Sequence, residues 1–302
     1  MKIKPTLLLV VMTSVSALVA TTTFAQDQPV FDGSFTLAAN DAVVPGGSGP
    51  SDSVKNEDAE LAQQLQNPVA ALISVPIQNN WDFGIGPAHA MRYTANIQPV
   101  LPIGISEDWN LIIRTITPVI YAEAVDNRLL APASARQSHA GLGDITQTFF
   151  LSPKNTIGGW VLAAGPVALW PTASDSVLGA GQWGAGPSAL ALRQENGFTY
   201  GLLVNHLWSY AGWGDQNVNA TFLQPFVAFT TKTFTTFSVN TESTYDWQAE
   251  EALVPMNFGV QQLVKLGKQP VAFQAGYRYY VEKPNGGPDW GLRFTITFLF
   301  PK

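Results

Sequence analysis

From Val271 to Phe300 the chain alternates strictly between two kinds of position. Val271, Phe273, Ala275, Tyr277, Tyr279 and Val281 stand on one side. Ala272, Gln274, Gly276, Arg278, Tyr280 and Glu282 stand on the other. The turn-forming run Lys283-Pro284-Asn285-Gly286-Gly287-Pro288 follows. Then Trp290, Leu292, Phe294, Ile296, Phe298 and Phe300 alternate with Gly291, Arg293, Thr295, Thr297 and Leu299. Successive strand side chains point to opposite faces, so this pattern predicts a hairpin with one greasy face and one mostly polar face. In a transmembrane barrel the greasy face meets lipid and the polar face lines the lumen. In a soluble sandwich the greasy face is core.

Upstream, the same reading predicts twelve strands, over 69–81, 92–103, 108–122, 142–151, 159–170, 183–193, 198–208, 219–230, 234–247, 254–266, 271–282 and 290–300. Most approach the ~9–11 residues that a tilted strand needs to cross a bilayer. The connections between them alternate in length. The set 104–107, 152–158, 194–197, 231–233 and 267–270 is short; the set 82–91, 123–141, 171–182, 209–218, 248–253 and 283–289 is mostly longer. Outer-membrane barrels have short periplasmic turns and longer external loops, whereas a soluble sandwich gives loop length no reason to follow strand parity. With an even strand number both chain ends fall on the short-turn side.

Eight of the nine tryptophans, all but Trp213, sit at or near a predicted strand end, as expected for aromatic girdles at two membrane interfaces. The stretch 235–247 repeats the terminal pattern, and Thr236, Ser238, Asn240, Glu242, Thr244 and Asp246 form a wholly polar row suited to a wet lumen. The middle strands alternate less cleanly. Pro76, Pro99, Pro118, Pro166 and Pro225 fall inside strand patterns; a proline cannot donate to the ladder, so these positions predict bulges or bends.

Composition agrees. Only 13% of residues are charged and 46% are hydrophobic, a low charge for a surface that meets water everywhere. Lys2 and Lys4, the apolar run 7–20 and Thr23-Phe24-Ala25 describe a secretory signal cleaved after Ala25. That run falls short of the ~20 residues of a spanning helix. Loss of its two lysines takes the net charge from −6 to −8, which argues against nucleic acid as a partner. The chain has no cysteine, so burial or barrel closure must supply stability without disulfides. Residues 26–68 read as a flexible periplasmic extension: the Gly/Pro/Ser-rich stretch 44–53 cannot bury a core, and 56–66 predicts a short helix with a thin apolar stripe (Ala59, Leu61, Ala62, Leu65) ending before Pro68. A tether is the expected role, a plug the alternative. The barrel is expected over 69–302.

The stretch from Asn67 to Val119 carries a resemblance. Ile73-Ser74-Val75-Pro76-Ile77-Gln78-Asn79-Asn80-Trp81, then Arg92-Tyr93, Asn96-Ile97-Gln98-Pro99-Val100, Glu107-Asp108-Trp109-Asn110-Leu111-Ile112 and Arg114-Thr115 resemble the outer-membrane family named for the phenol meta-degradation pathway. The likeness extends to Phe294–Lys302. It implies an outer-membrane β-barrel that passes small solutes, aromatic or hydrophobic compounds among them. It brings no catalytic motif. Outer-membrane barrels commonly end on an aromatic residue, whereas here Phe300 is followed by Pro301-Lys302.

Strand parity places Arg114, Asp144, Asn240, Glu242, Asp246, Arg278, Glu282 and Arg293 in the lumen, where such groups either set selectivity at a constriction or fill a closed barrel with salt bridges. His89, His139 and His206 have no partner at metal-ligand spacing, so no metal or cofactor is expected. Ser138-His139 lacks any local nucleophile motif, and an enzyme is not expected. The expected partners are outer-membrane lipid, the barrel-assembly and periplasmic chaperone machinery, and a small-molecule solute. The reading is an all-β antiparallel transmembrane barrel acting as an outer-membrane channel. A non-conducting structural or adhesion barrel, working through its external loops, is the alternative, and an outer-membrane hydrolase stands third.

Overall fold

The computed structural model describes residues 61–123 and 138–301. The expected signal peptide and residues 26–60 lie outside them. The described residues form fifteen strand segments: β1 Ile73–Ile85, β2 Ala90–Ile97, β3 Val100–Gly104, β4 Trp109–Ala122, β5 His139–Leu142, β6 Ile145–Pro153, β7 Trp160–Trp170, β8 Gln182–Glu195, β9 Phe198–Gly212, β10 Asn219–Thr230, β11 Thr235–Thr241, β12 Ser243–Asp246, β13 Glu251–Leu266, β14 Gln269–Glu282 and β15 Trp290–Phe300. β2 with β3, β5 with β6, and β11 with β12 are each one strand interrupted once, so twelve strands remain. Neighbours pair antiparallel, and β15 pairs with β1 from Phe300↔Ile73 to Trp290↔Phe83, which closes the barrel.

The interruptions have a chemical cause. The ladders flanking β11 and β12 set Pro225 against Thr241 and Pro255 against Glu242, so at this level two neighbours lack an N–H to donate. β2 and β3 part at Gln98-Pro99. Opposite Pro118, residues 143–145 face only 117–118, a bulge as expected for an in-strand proline. Two connections are shorter than the pattern suggested, 86–89 and 247–250, because β1 and β13 run further outward than expected.

Facing follows parity. Along β15, Trp290, Leu292, Phe294 and Phe300 are exposed, while Gly291, Arg293, Thr295, Thr297 and Leu299 are buried. A smooth apolar outer face of this kind is what lipid requires. Rings ornament both of its ends. At the loop end Phe83 stacks on Trp290 (4.5 Å), Trp170 meets Trp183 edge-on (5.2 Å) and Tyr245 meets Trp247 (4.8 Å). At the turn end Trp160 meets Tyr200 (5.9 Å) and Phe198 meets Phe229 (4.7 Å).

The inner wall is divided. From β3 to β10 it is apolar, built from Val100, Ile112, Phe150, Ala163, Leu190, Leu192 and Leu203, with Phe222 and Phe226 against them. The remaining wall, through β11–β15, β1 and β2, is mostly polar, apart from Leu263, Ala272 and Leu299 at its turn end. This division explains the weak alternation of the middle strands: their inward rows are apolar as well as their outward rows.

Candidate functional site: a charged belt in the lumen and a segment across its mouth

The polar wall carries a belt of paired charges. Arg293 of β15 grips Glu242 with two parallel bonds, Nη1 to Oε1 at 2.9 Å and Nη2 to Oε2 at 2.7 Å, and its Nε donates to Asn80 Oδ1 at 2.7 Å. The planar guanidinium fork matches a carboxylate in this way. Arg278 of β14 donates through Nε to Asn257 Oδ1 (3.1 Å), pairs with Asp82 (3.2 Å), and comes within 3.9 Å of Glu242. Tyr280 donates its hydroxyl to Asp82 Oδ1 at 2.7 Å. The side chains of Arg293, Arg278 and Asp82 are 6%, 10% and 12% exposed, and Glu242 is 21% exposed, so the belt is largely closed off.

Backbone register makes this possible. Arg278 lies opposite Gly291, and Asp82 lies opposite the same glycine from the other side. Asp82 therefore reaches over Gly291 to Arg278. A Cβ on Gly291 would stand 2.5 Å from Asp82 Oδ1. Beside this belt, a void of about 10 Å³ lies among Asn240, Asn257, Gln274 and Arg293, room for one water.

Two further guanidiniums complete the belt. Arg114 donates from Nη2 to Gln98 Oε1 at 2.8 Å and lies within electrostatic reach of Glu242. Arg92, opposite Asp82 on β2, feels Asp82 and Tyr280 but makes no hydrogen bond among the described residues. Four cations thus face two carboxylates, a balance of +2.

The other expected lumen residues are placed as follows. Asn240 accepts from Asn257 Nδ2 at 2.8 Å beside the belt. Asp144 binds a loop instead of facing open lumen: its oxygens accept from the Ala173 N–H (3.0 Å) and the Gly181 N–H (2.8 Å). Asp246 closes the next turn by accepting from the N–H groups of Gln248 and Ala249. Glu282 is exposed at the loop-side rim. Asp82, Arg92, Asn80 and Tyr280 were missed as a group. The signal was there, since Asn80 and Asp82 continue the polar parity of β1 past Trp81.

Both mouths are narrowed. At the loop end, Leu178 of the 171–181 connection is buried against Ile120 and Ala122, which face inward. His139 Nδ1 sits 3.0 Å from Asp175 Oδ2 in that connection. The Val177 N–H and then His139 hold the Asp175 carboxyl below its usual range. At the turn end, residues 61–72 enter the barrel in place of hanging as a tether. A single helical turn at 61–64 puts Ala62 with Leu72, Leu263, Ala272 and Leu299, all inward positions, while Val69 joins the apolar cluster of Ile112, Phe150 and Leu192 across the lumen. Gln194 Nε2 of β8 donates to the Gln63 carbonyl at 2.7 Å. The segment therefore touches both walls. Its Gln66 Nε2 is buried without a partner among the described residues.

His206 faces outward near the loop-side rim. Its Nδ1 meets the Thr221 hydroxyl at 2.7 Å, its Nε2 meets Asn219 Oδ1 at 3.1 Å, and its ring lies 4.0 Å from that of Trp208. The Trp247 indole N–H donates to the same Thr221 oxygen at 2.8 Å. The knot satisfies a polar ring on an otherwise apolar face.

A closed twelve-stranded antiparallel barrel, apolar outside and partly polar within, is an outer-membrane β-barrel protein, and that is the class of this chain. No family model matches the chain, and no curated protein matches it. Among solved structures it is similar to an outer membrane channel from Pseudomonas putida F1, with a TM-score of 0.58 and 14% identity over 76% of this chain and 96% of that one. A NanC porin follows at a TM-score of 0.47 and 11% identity, over 76% of this chain and 100% of that one. The outer membrane phospholipase A from Escherichia coli follows at 0.42 and 11%, over 81% and 98%. At these identities the likeness concerns the fold.

Proposed function

We propose that the protein is an outer-membrane channel that lets small solutes, aromatic or hydrophobic compounds among them, pass down their gradients. The single observation that carries this reading is the mixed inner wall. A barrel that served only as a scaffold could fill its lumen with apolar side chains, since a buried charge pair often stabilises no better than a hydrophobic isostere. Here a belt of four arginines and two carboxylates faces an apolar wall of Ile112, Phe150, Phe222 and Phe226. The resemblance to the phenol meta-degradation family and the channel fold of the Pseudomonas putida structure support the same reading.

A second reading, a non-conducting barrel acting through its loops, draws on the segment 61–72 that fills the turn-side mouth. Flux separates the two. Proteoliposomes carrying the folded protein should swell in iso-osmotic small solutes faster than empty liposomes. Equal swelling rates, for the full mature chain and for a chain starting at Ile73, would sink the channel reading.

A further inference from the structure

One six-residue pattern occurs twice on neighbouring strands. Ala164-Gly165-Pro166-Val167-Ala168-Leu169 lies on β7, and Ala185-Gly186-Pro187-Ser188-Ala189-Leu190 lies on β8. The two copies run antiparallel and pair about their prolines: Pro166 lies opposite Pro187, Ala164 opposite Ala189 and Ala168 opposite Ala185. Neither proline has an N–H to give to the strand on its other side. The β6–β7 ladder is accordingly open between Thr148↔Val167 and Leu151↔Ala164, and the β8–β9 ladder is open between Ala185↔Trp208 and Ser188↔Asn205. The glycines let the backbones close up there. A Cβ on Gly165 would run into the Phe149 carbonyl oxygen, and a Cβ on Gly186 into that of His206. On the lumen side the wall stays filled by buried Val167 and Leu190 and by Ser188, whose hydroxyl donates to the Val204 carbonyl at 3.2 Å.

On the outer face the same stretch is a groove of about 580 Å³, within the ~300–1,000 Å³ of small-molecule sites. Its floor is Ala164, Pro166, Pro187 and Ala189, all exposed, and Val204 and His206 of β9 form one bank. His206 turns both ring nitrogens to Thr221 and Asn219, so neither is free to the groove. Toward the turn end, Leu162 and Leu202 stand on either side of Ala191 and close the floor. Toward the loop end, the edge-on pair Trp170–Trp183 marks the membrane interface. The floor from Ala164 to Ala168 runs ~13 Å along the strand. What fills a recess on this face must come from what covers the face, and the surrounding outer surface meets lipid. We propose that the groove binds one acyl chain of an outer-leaflet lipid and holds it apart from the lipids that coat the rest of the barrel. The loop end of such a barrel is external, so the chain enters beneath the tryptophan pair, passes the two prolines and ends against Leu162 and Leu202. A flat wall touches a chain on one side, whereas a floor and a bank touch it on two, and dispersion contacts add up atom by atom. The proposal does not depend on whether the lumen conducts.

The test is photo-crosslinking of the full mature chain folded in phosphatidylethanolamine vesicles that carry a trace of the same lipid with a diazirine on its acyl chain. Labelled peptides are mapped by mass spectrometry. Label on the groove residues of β7 and β8 should exceed that on the outward rows of β14 and β15 at least about tenfold, a preference of ~1.4 kcal/mol. Ala164→Leu and Ala189→Leu each put a larger apolar side chain on the floor, which lipid tolerates, and each should bring the groove label down to the β14–β15 level. Ala275→Leu makes the same change on the outward row of β14 and should leave the groove label as it is in the parent. Heat-modifiable gel migration confirms folding of each variant. Equal label on the two faces, or groove label that survives both Ala164→Leu and Ala189→Leu, would overturn the site. Light scattering of the detergent-solubilised chain tests the other occupant. A parent dimer that Ala164→Leu converts to a monomer would assign the groove to a second copy of the chain and overturn the lipid site.

Discussion

Removing the charge of Glu242 tests the belt most sharply. Glu242→Gln keeps the volume but deletes the anion that Arg293 grips at 2.7 and 2.9 Å and that Arg278 approaches at 3.9 Å. Breaking a buried pair by neutralising one partner leaves a buried, uncompensated cation and costs ~3–5 kcal/mol. Here Arg293 loses its carboxylate partner, while Arg278 loses a 3.9 Å approach and keeps Asp82. Glu242 is itself 21% exposed, however, so lumen water compensates part of the loss and the low end, about 3 kcal/mol, applies. That is about two decades in the folding equilibrium, since ~1.4 kcal/mol is one decade. The balance of the belt rises from +2 to +3, so current through the variant should become more anion-selective. The assay is urea unfolding of the protein folded in lipid vesicles, with the reversal potential in a salt gradient as a second readout. Glu195→Gln is the control: it breaks the exposed pair with Arg193, at the rim, and should move neither readout. If Glu242→Gln unfolds at the same urea concentration as Glu195→Gln, the belt is solvated and the account of a closed, coupled network is wrong.

The other predictions concern separate parts of the barrel. Ile296→Arg places a charge mid-strand on the lipid face, opposite Ile77 and Phe273, and should cost ~2–4 kcal/mol in the same unfolding assay; a variant that assembles and unfolds like the parent would refute the facing of β15. Gln66→Leu removes a buried donor that has no partner among the described residues, a defect worth ~1–3 kcal/mol, and should seat the 61–72 segment more firmly and lower solute flux; raised flux would contradict its role as an obstruction. Asp175 has a depressed folded value, so its hold on Val177 and His139 is complete above the ordinary carboxylate range and is lost as pH falls through that lowered value. Protease cleavage within 171–181 should therefore stay slow at neutral pH and rise only in acid, while Asp175→Asn should make it fast at neutral pH; pH-independent cleavage of the parent would dismiss the anchor. Thr221→Val should leave hydrolysis of p-nitrophenyl esters at background, as for the parent; Thr221-dependent turnover would show that the His206 knot is catalytic.

The legible parts of the molecule were those where one face is polar and the other is not. β14 and β15 alternate cleanly because their inward rows hold Arg278, Arg293, Thr295 and Thr297 while their outward rows meet lipid, so parity on these strands delivered Arg278 and Arg293 of the belt. β7–β9 were blurred because Ala163, Val167, Leu190, Leu192 and Leu203 make the inward rows apolar too. Asp82 escaped because Trp81 looked like an interfacial end of a strand; in fact its ring meets that of Tyr93 at a tilt on the outer face (5.2 Å) and β1 continues to Ile85. Asp144 and Asp246 sit at inward parity, but backbone N–H groups from loops occupy them, a tertiary fact no strand pattern encodes. The segment 61–72 has a thin apolar stripe because it packs small side chains, Ala62 and Ala70, between two walls. From sequence, such a stripe looks like a tether.

The most direct test of the channel is single-channel current from the purified, folded mature chain in a planar bilayer, recorded beside the same chain starting at Ile73. The account predicts reproducible steps that are small and infrequent in the full chain and larger in the shortened one, because residues 61–72 no longer touch both walls. A silent bilayer for both chains, with folding confirmed, would contradict the account.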